Sequence, residues 1–423
     1  MSEDYIACSN RLKKFIMEDK LSYKEVYPTT QNFFDTHRDI MKDNNHSFWI
    51  RMTVQYNLFV GSILNLGTEN QKRWIIENQS KGELGCFMLT EYRAGVTSGL
   101  IVNTEAHIKG DKIEISTPDI RRDKNGEIDF ENTLDRKNWI SQGLTADWGC
   151  VIVTLYKDNV NIGIHPLLIN MYLDGIYKKS NNKKNVAISL DNAMVIFDKV
   201  IVPISSIMND SEPSTKNGFP RIASRLNSGR LCIAYSGLGA TEKYLNEIEM
   251  KLSKEVYLSK KHKSLLRDIP EIRDSIKNSK FRLSRLNEYV KNVIQEYLLD
   301  KEDLISKIIV AKILSVNFSL DVAYKYKLIC GSNSLFEEDM IGIALCGSFA
   351  EGDNNVLAYK LVMDNILSPS KYLSSYTKQK LFLFSKKMIV SDNKTKVFYD
   401  NYEQVKDISI RICEDYLFLR SSL

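Results

Sequence analysis

The chain has 423 residues, 43% of them hydrophobic and 26% charged, which excludes a disordered or fibrous protein and suffices for two or three domains. Its 58 basic and 53 acidic side chains leave a formal charge of +5, too small a surplus for nucleic-acid recognition. The cysteines (Cys8, Cys86, Cys150, Cys232, Cys330, Cys346, Cys413) are odd in number and lack a C-x-x-C pair, so neither a disulfide framework nor a zinc site is expected.

A reducing compartment follows. The first residues lack a basic segment followed by an apolar stretch, and no uncharged run approaches the roughly 18 residues of a membrane span. A soluble, cytoplasmic protein is expected. Ser421-Ser422-Leu423 comes close to the peroxisomal Ser-Lys-Leu address but lacks its central base, which leaves the peroxisome as the alternative.

Residues 1–84 read as a helical domain: apolar positions such as Ile50, Val54, Leu58, Ile63 and Leu66 recur without sustained alternation. Thr68 caps a predicted helix over 69–78, with Glu69 in its first turn. Residues 85–207 read as a β domain. Its hairpin pairs 104–108 with 112–115 around Lys109-Gly110-Asp111, and further strands are predicted at 151–155, 162–164 and 193–202. Between them, 119–136 is charged and reads as a solvated loop.

Residues 208–220 form a linker rich in turn formers. Residues 221–367 read as a helical bundle, with Leu286, Val290, Val293 and Tyr297 on one helix face. Residues 368–423 read as a helical extension whose last helix runs over 399–418. The fold class is thus α+β: an N-terminal helical domain, a central barrel-like β domain and a C-terminal helical bundle.

No G-x-G-x-x-G, Walker, G-x-S-x-G or H-E-x-x-H motif is present, and His37, His46, His107, His165 and His262 are scattered. Two clusters carry chemistry. Thr90-Glu91 after an apolar run, and Trp139-Ile140-Ser141 before a strand, offer hydroxyls and an indole suited to a flat, hydrogen-bonding ring. From spacing alone Thr90 and Ser141 read as strand caps and Trp139 as core. Glu351, before Gly352 and a helix that Asp353 or Asn354 could cap, would serve as a base if buried against a ligand; an ordinary helix-entry carboxylate is the competing reading.

At these clusters the sequence resembles the acyl-CoA oxidase branch of the acyl-CoA dehydrogenase superfamily. Gly67-Thr68-Glu69-Asn70-Gln71-Lys72-Arg73-Trp74 resembles its G-T-x-x-Q-x-x-W segment, and the run from Gly85 to Glu91 its G-x-F-x-x-T-E entry to the β domain. The stretch from Lys137 to Ser141 resembles K-x-W-I-[TS], and that from Phe197 to Pro203 resembles F-D-x-V-x-[IV]-P. The run from Arg225 to Arg230 resembles R-L-x-x-G-R, and that from Glu351 to Leu357 the oxidases' E-G-[ED]-N-x-V-[ML].

The resemblance implies an FAD enzyme that oxidises an acyl thioester to the 2,3-enoyl thioester, with Glu351 as α-proton base and dioxygen as final acceptor. It implies flavin contacts at Thr90, Trp139 and Ser141, with Phe87, Leu89 and Gly143 nearby, a further cofactor position at Gly331, and Arg230 near the CoA moiety. It also implies a homo-dimer or tetramer, or a hetero-oligomer with a related subunit. A thioester carried on a carrier protein, and a non-catalytic partner subunit, are the alternatives.

The sequence departs from the family at two elements. R-x-x-F-G is replaced by Lys260-Lys261-His262-Lys263-Ser264-Leu265, and C-G-G-x-G-[YF] by Cys330-Gly331-Ser332-Asn333-Ser334-Leu335. Val96 stands where the family often has a polar residue.

Overall fold

The computed structural model describes residues 5–42, 46–94, 101–181, 187–208, 219–331, 340–389, 391, 396–397 and 400–419. Most of the linker, Val96, Glu337, Glu338, 332–335 and the final tripeptide lie outside them. The chain divides into two compact units, Met1–His37 with Asn45–Gly229, and Arg38–Asn44 with Arg230–Leu423. Among the described residues no helix is long and apolar enough to cross a membrane.

The first unit opens with helices α1 (Tyr5–Met17), α2 (Gln31–Lys42, of which the residues from Arg38 on belong to the second unit), α3 (His46–Met52), α4 (Gly61–Leu66) and α5 (Glu69–Asn78). Thr53–Val60, between α3 and α4, is wound as a π-helix and almost wholly buried. The predicted cap of α5 is present as a reciprocal box: Gln71 N donates to Thr68 Oγ1 at 3.3 Å and Thr68 N to Gln71 Oε1 at 2.9 Å.

Nine strands follow among the described residues: β1 (Gly85–Met88), β2 (Glu105–Lys109), β3 (Lys112–Ser116), β4 (Lys137–Ser141), β5 (Trp148–Lys157), β6 (Val160–Asn170), β7 (Ile176–Ser180), β8 (Asn192–Phe197) and β9 (Val200–Pro203). They form a six-stranded sheet in the order β1-β5-β2-β3-β9, with β6 also on β5, and a three-stranded sheet β4-β8-β7. Inward side chains from both sheets, among them Val151, Val153, Ile140, Val195 and Phe197, close over one core.

The predicted hairpin is β2–β3, with Glu105 opposite Ser116 and Lys109 opposite Lys112. The expected single strand over 193–202 is instead two, in different sheets. Lys199 takes φ +54° in the bend after β8, so β8 serves the three-stranded sheet and β9 the six-stranded one. The charged loop over 119–136 is solvated only in part, because Thr133, Asp135 and Arg136 at its end are buried.

Strand β4 is fixed at both ends by buried ion pairs. At its start Lys137 Nζ lies 2.8 Å from Glu91 Oε1, both side chains without solvent exposure. Lys137 also donates to Ile152 O at 2.8 Å, and Glu91 accepts from Asn103 N, Thr104 N and Thr104 Oγ1 at 2.7–3.0 Å. Past its other end Asp191 Oδ2 accepts from Leu144 N at 2.8 Å, while Oδ1 takes Arg51 Nη2 at 2.6 Å. Arg51, on α3, donates as well to the carbonyls of Ser189 and Tyr5.

The second unit contains α6 (Phe219–Lys251), a hairpin of β10 (Glu255–Ser259) and β11 (His262–Leu265), then α7 (Pro270–Leu298), α8 (Ile305–Cys330), α9 (Met340–Phe349), α10 (Asn354–Leu367), α11 (Ser375–Ile389) and α12 (Tyr402–Leu419). On α7 the predicted face is buried at Leu286, Val290 and Val293 and half-buried at Tyr297. The β10–β11 hairpin corrects the expectation of helices alone: Glu255 faces Leu265 and Tyr257 faces Lys263. Strands of five and four residues are too short for a period to separate them from helix.

Glu91→Ala strands the Lys137 ammonium in a dry core and is expected to cost about 3–5 kcal/mol in urea unfolding at pH 7. Burial already pushes Lys137 below the usual lysine range, and the Glu91 charge opposes that push. Without Glu91 the folded chain holds the Lys137 proton more weakly still, while the unfolded chain keeps it up to about pH 10. The deficit is therefore full near pH 7 and narrows as pH rises toward about 10.

Candidate active site

Two constellations, one in each unit, contain the residues singled out by the sequence. In the first, Glu91 and Lys137 form an isolated bridge, and Asn138 N donates to Thr90 O at 3.0 Å, so the segment after β1 runs beside β4. Thr90, Trp139 and Ser141 are thereby brought to one edge. Asn192 on β8 secures that edge, its Nδ2 donating to Ser141 Oγ at 3.0 Å and to Trp139 O at 3.3 Å.

Trp139 is not in the core. Between Lys137, opposite Val195, and Ile140, opposite Ala193, β4 carries two residues where β8 carries one. This bulge, with Trp139 at φ +58°, reverses the alternation so that Ile140 turns inward and the indole is 56% exposed. Thr90 is likewise exposed and Ser141 half-buried. Phe87 and Leu89 are half-buried along β1 and just beyond it.

Gly143 lies in the turn after β4. A Cβ there would meet Ala193 Cβ at 2.6 Å and Ile140 O at 2.9 Å, so only glycine fits. An exposed indole beside hydroxyls, on a strand anchored at both ends, is a rigid ledge of the kind a flat heteroaromatic ring covers. The residues present fit a flavin.

The second constellation is the turn between α9 and α10. Asp353 caps α10, its Oδ1 accepting from Asn355 N at 2.7 Å. Before it Glu351 adopts φ +57° and Gly352 φ +100°. The first is a left-handed conformation unusual for a residue with a Cβ, and the second is open essentially to glycine. Glu351 is 7% exposed.

Each carbonyl of this turn meets a cation, half-buried Arg230 or buried Lys312. Arg230 Nε, on α6, donates to Glu351 O at 3.1 Å, and Lys312 Nζ, on α8, to Ala350 O at 2.6 Å and also to Gly352 O. Burial pushes the Lys312 ammonium down to about 7; Arg230 adds to the push, while Glu351 and Asp353 oppose it. Burial also lowers Arg230 to about 10, with Glu351 opposing. The arrangement fixes one carboxylate among two cations in a site of low dielectric.

The other sequence-selected positions are Gly331 and three lysines of the second unit. Gly331 ends α8 at φ +62° and is exposed, with nothing near a notional Cβ. Lys260, Lys261 and Lys263 lie at the exposed end of the β10–β11 hairpin, where Lys263 Nζ is 3.2 Å from Glu255. Sequence reasoning gave no role to Glu91, Lys137, Asn192 or Lys312. For Lys312 a signal existed: it is the one charge in the run from Ile308 to Leu314.

No family model matches the chain. In sequence it is 28% identical over 197 residues to the mitochondrial short-chain specific acyl-CoA dehydrogenase of Bos taurus, across 46% of this chain and 42% of that protein. It is 24% identical over 219 residues to the acyl-coenzyme A oxidase-like protein of Mus musculus, across 46% and 32%. The alignments thus span less than half the length of these relatives.

Among solved structures, butyryl-CoA dehydrogenase from Megasphaera elsdenii aligns with TM-score 0.70 and 18% identity, over 85% of this chain and 90% of that one. Acyl-CoA oxidase 1 from Yarrowia lipolytica aligns with TM-score 0.73 and 15% identity, over 98% and 72%. A glutaryl-CoA dehydrogenase from Mycobacterium smegmatis, solved with FADH2, aligns with TM-score 0.64 and 17% identity, over 88% and 96%. At these identities the structural likeness establishes the fold, which is that of the acyl-CoA dehydrogenases and oxidases, and the sequence matches show a similarity to the same proteins over 46% of the chain.

Proposed function

We propose that the protein oxidises the Cα–Cβ bond of an acyl thioester to the 2,3-enoyl thioester, with FAD as cofactor. The observation that carries this reading is Glu351: a buried carboxylate in a left-handed turn whose carbonyls, its own included, are held by the buried Lys312 and the half-buried Arg230. Such strain persists only where surrounding structure over-determines it, and it clusters at working sites.

In this reading Thr90, Trp139 and Ser141 hold the flavin ring, with Phe87, Leu89 and Gly143 shaping the ledge and Gly331 as a further cofactor position. Bound FAD would supply a hydride acceptor for the β-hydrogen, with dioxygen as the final electron acceptor. Glu351 takes the α-proton on its carboxylate. The α-carbon is a very weak acid, so the backbone N–H of Glu351, fixed by the same turn, donates to the thioester carbonyl as negative charge develops there.

Arg230 lends positive charge near the CoA moiety while it holds the Glu351 carbonyl. The chain works as at least a dimer, supported by large apolar side chains left in solvent on consecutive helices: Tyr324 and Leu328 on α8 and Phe349 on α9.

Three measurements test the reading. Purified protein should carry FAD or take it up on incubation, and Trp139→Ala should weaken FAD affinity up to about tenfold through the lost ring contact. A colourless protein that takes up no FAD would end the enzymatic reading in favour of a partner subunit.

Anaerobic mixing with acyl-CoAs of several chain lengths, and with a carrier-protein thioester, should bleach the flavin with one of them and so identify the carrier. Glu351→Gln should keep flavin and thioester binding yet bleach about 10³-fold more slowly; near wild-type bleaching would place the base elsewhere. Light scattering should give a mass of at least two chains. A flavin-retaining monomer would refute the oligomer.

A further inference from the structure

Lys312 is costly to its own helix. It sits in α8 between Ala311 and Ile313, its side chain fully buried, where an aliphatic residue would fill the space without the desolvation cost that an ammonium carries. The expense is offset at one place. Its Nζ spans Glu351, donating to Ala350 O on one side and Gly352 O on the other, while Arg230 holds the carbonyl between.

A cation on the last carbonyls of α9 could serve as a helix cap alone. Capping α9 does not require reaching past Glu351 to Gly352, however, nor does it explain why the spanned residue is a non-glycine at φ +57°. The bracket fixes the dihedral angles that determine where the Glu351 carboxylate and its backbone N–H stand.

We propose that Lys312 is a positioning residue for Glu351, bracketing the turn that carries the base. The inference rests on Glu351 acting as the base. The charged groups facing Lys312 are Arg230 from α6 and Glu351 and Asp353 from the α9–α10 turn. The charged ammonium makes stronger hydrogen bonds to both carbonyls than the neutral amine can. The bracket therefore loosens as pH rises through about 7, where Lys312 loses its proton.

The test uses FAD-loaded full-length wild type, Lys312→Met and Lys312→Arg. Lys312→Met should slow substrate-dependent flavin bleaching about 10- to 100-fold, as misplacement of a reacting group does, while FAD and thioester dissociation constants stay within about threefold. Its rate profile should lack the alkaline decline of the wild type, and Lys312→Arg, which keeps a cation with several donors, should recover part of the rate. Lys312→Met bleaching at the wild-type rate, with an unchanged pH profile, would overturn the proposal.

A readout without catalysis covers a variant that fails to fold. With ¹³C-labelled lysine, NMR of the wild type should show one lysine titrating near 7, and Glu351→Gln should move it lower, since an anion that raises it is removed. A Lys312 resonance in the ordinary range near about 10.4, indifferent to Glu351→Gln, would also overturn the proposal. If the wild type bleaches with no thioester, the functional reading falls, and this titration still decides whether Lys312 and Glu351 are coupled.

Discussion

The ledge of the first unit depends on the anchoring of a single five-residue strand. β4 carries Trp139 and Ser141, and a strand so short, with a bulge in its middle, has little ladder of its own to hold it. Buried charge supplies the hold. Glu91 and Lys137, 46 residues apart, meet where the chain leaves β1 and enters β4. Asp191 and Arg51 grip the turn that follows it.

Neither pair is a cheap source of stability, because desolvating two ions offsets much of their attraction. Their value is geometric. Glu91 is satisfied by three donors besides Lys137, and Lys137 by carbonyls on two other segments, so a slip of either strand would leave several buried polar groups unmet at once. Register is thus enforced at the one place where a shift of a single residue would turn Trp139 from solvent into the core.

The second unit meets a comparable problem with the opposite polarity. The Ala350–Gly352 turn presents carbonyl oxygens to a buried interior, and two cations from helices α6 and α8 receive them. In both units a feature of the backbone is stabilised by side chains from far along the chain: a bulge in one, a left-handed residue in the other. The side chains that hold these features are fixed by the cores around them, which keeps the placement of Trp139 and Glu351 precise without relying on mobile loops.

Much of this was legible in the sequence. The order of helices, strands and helices follows from hydrophobic periodicity, the α5 cap from Thr68 with Gln71, and the β2–β3 hairpin from alternation around Lys109-Gly110-Asp111, because each depends on residues within a few positions of one another. Glu351 and Trp139 could be singled out for the same reason: their motifs are local. The tertiary structure alone decided what those motifs mean. The bulge that exposes Trp139 arises from pairing with β8, some 55 residues on. The break that sends β8 and β9 to different sheets follows from closure of the shared core, and the bracket on Glu351 comes from Arg230 and Lys312, 121 and 39 positions earlier in the chain. A charge's role depends on what it is buried against, and that is a property of packing, which no local pattern of residues records.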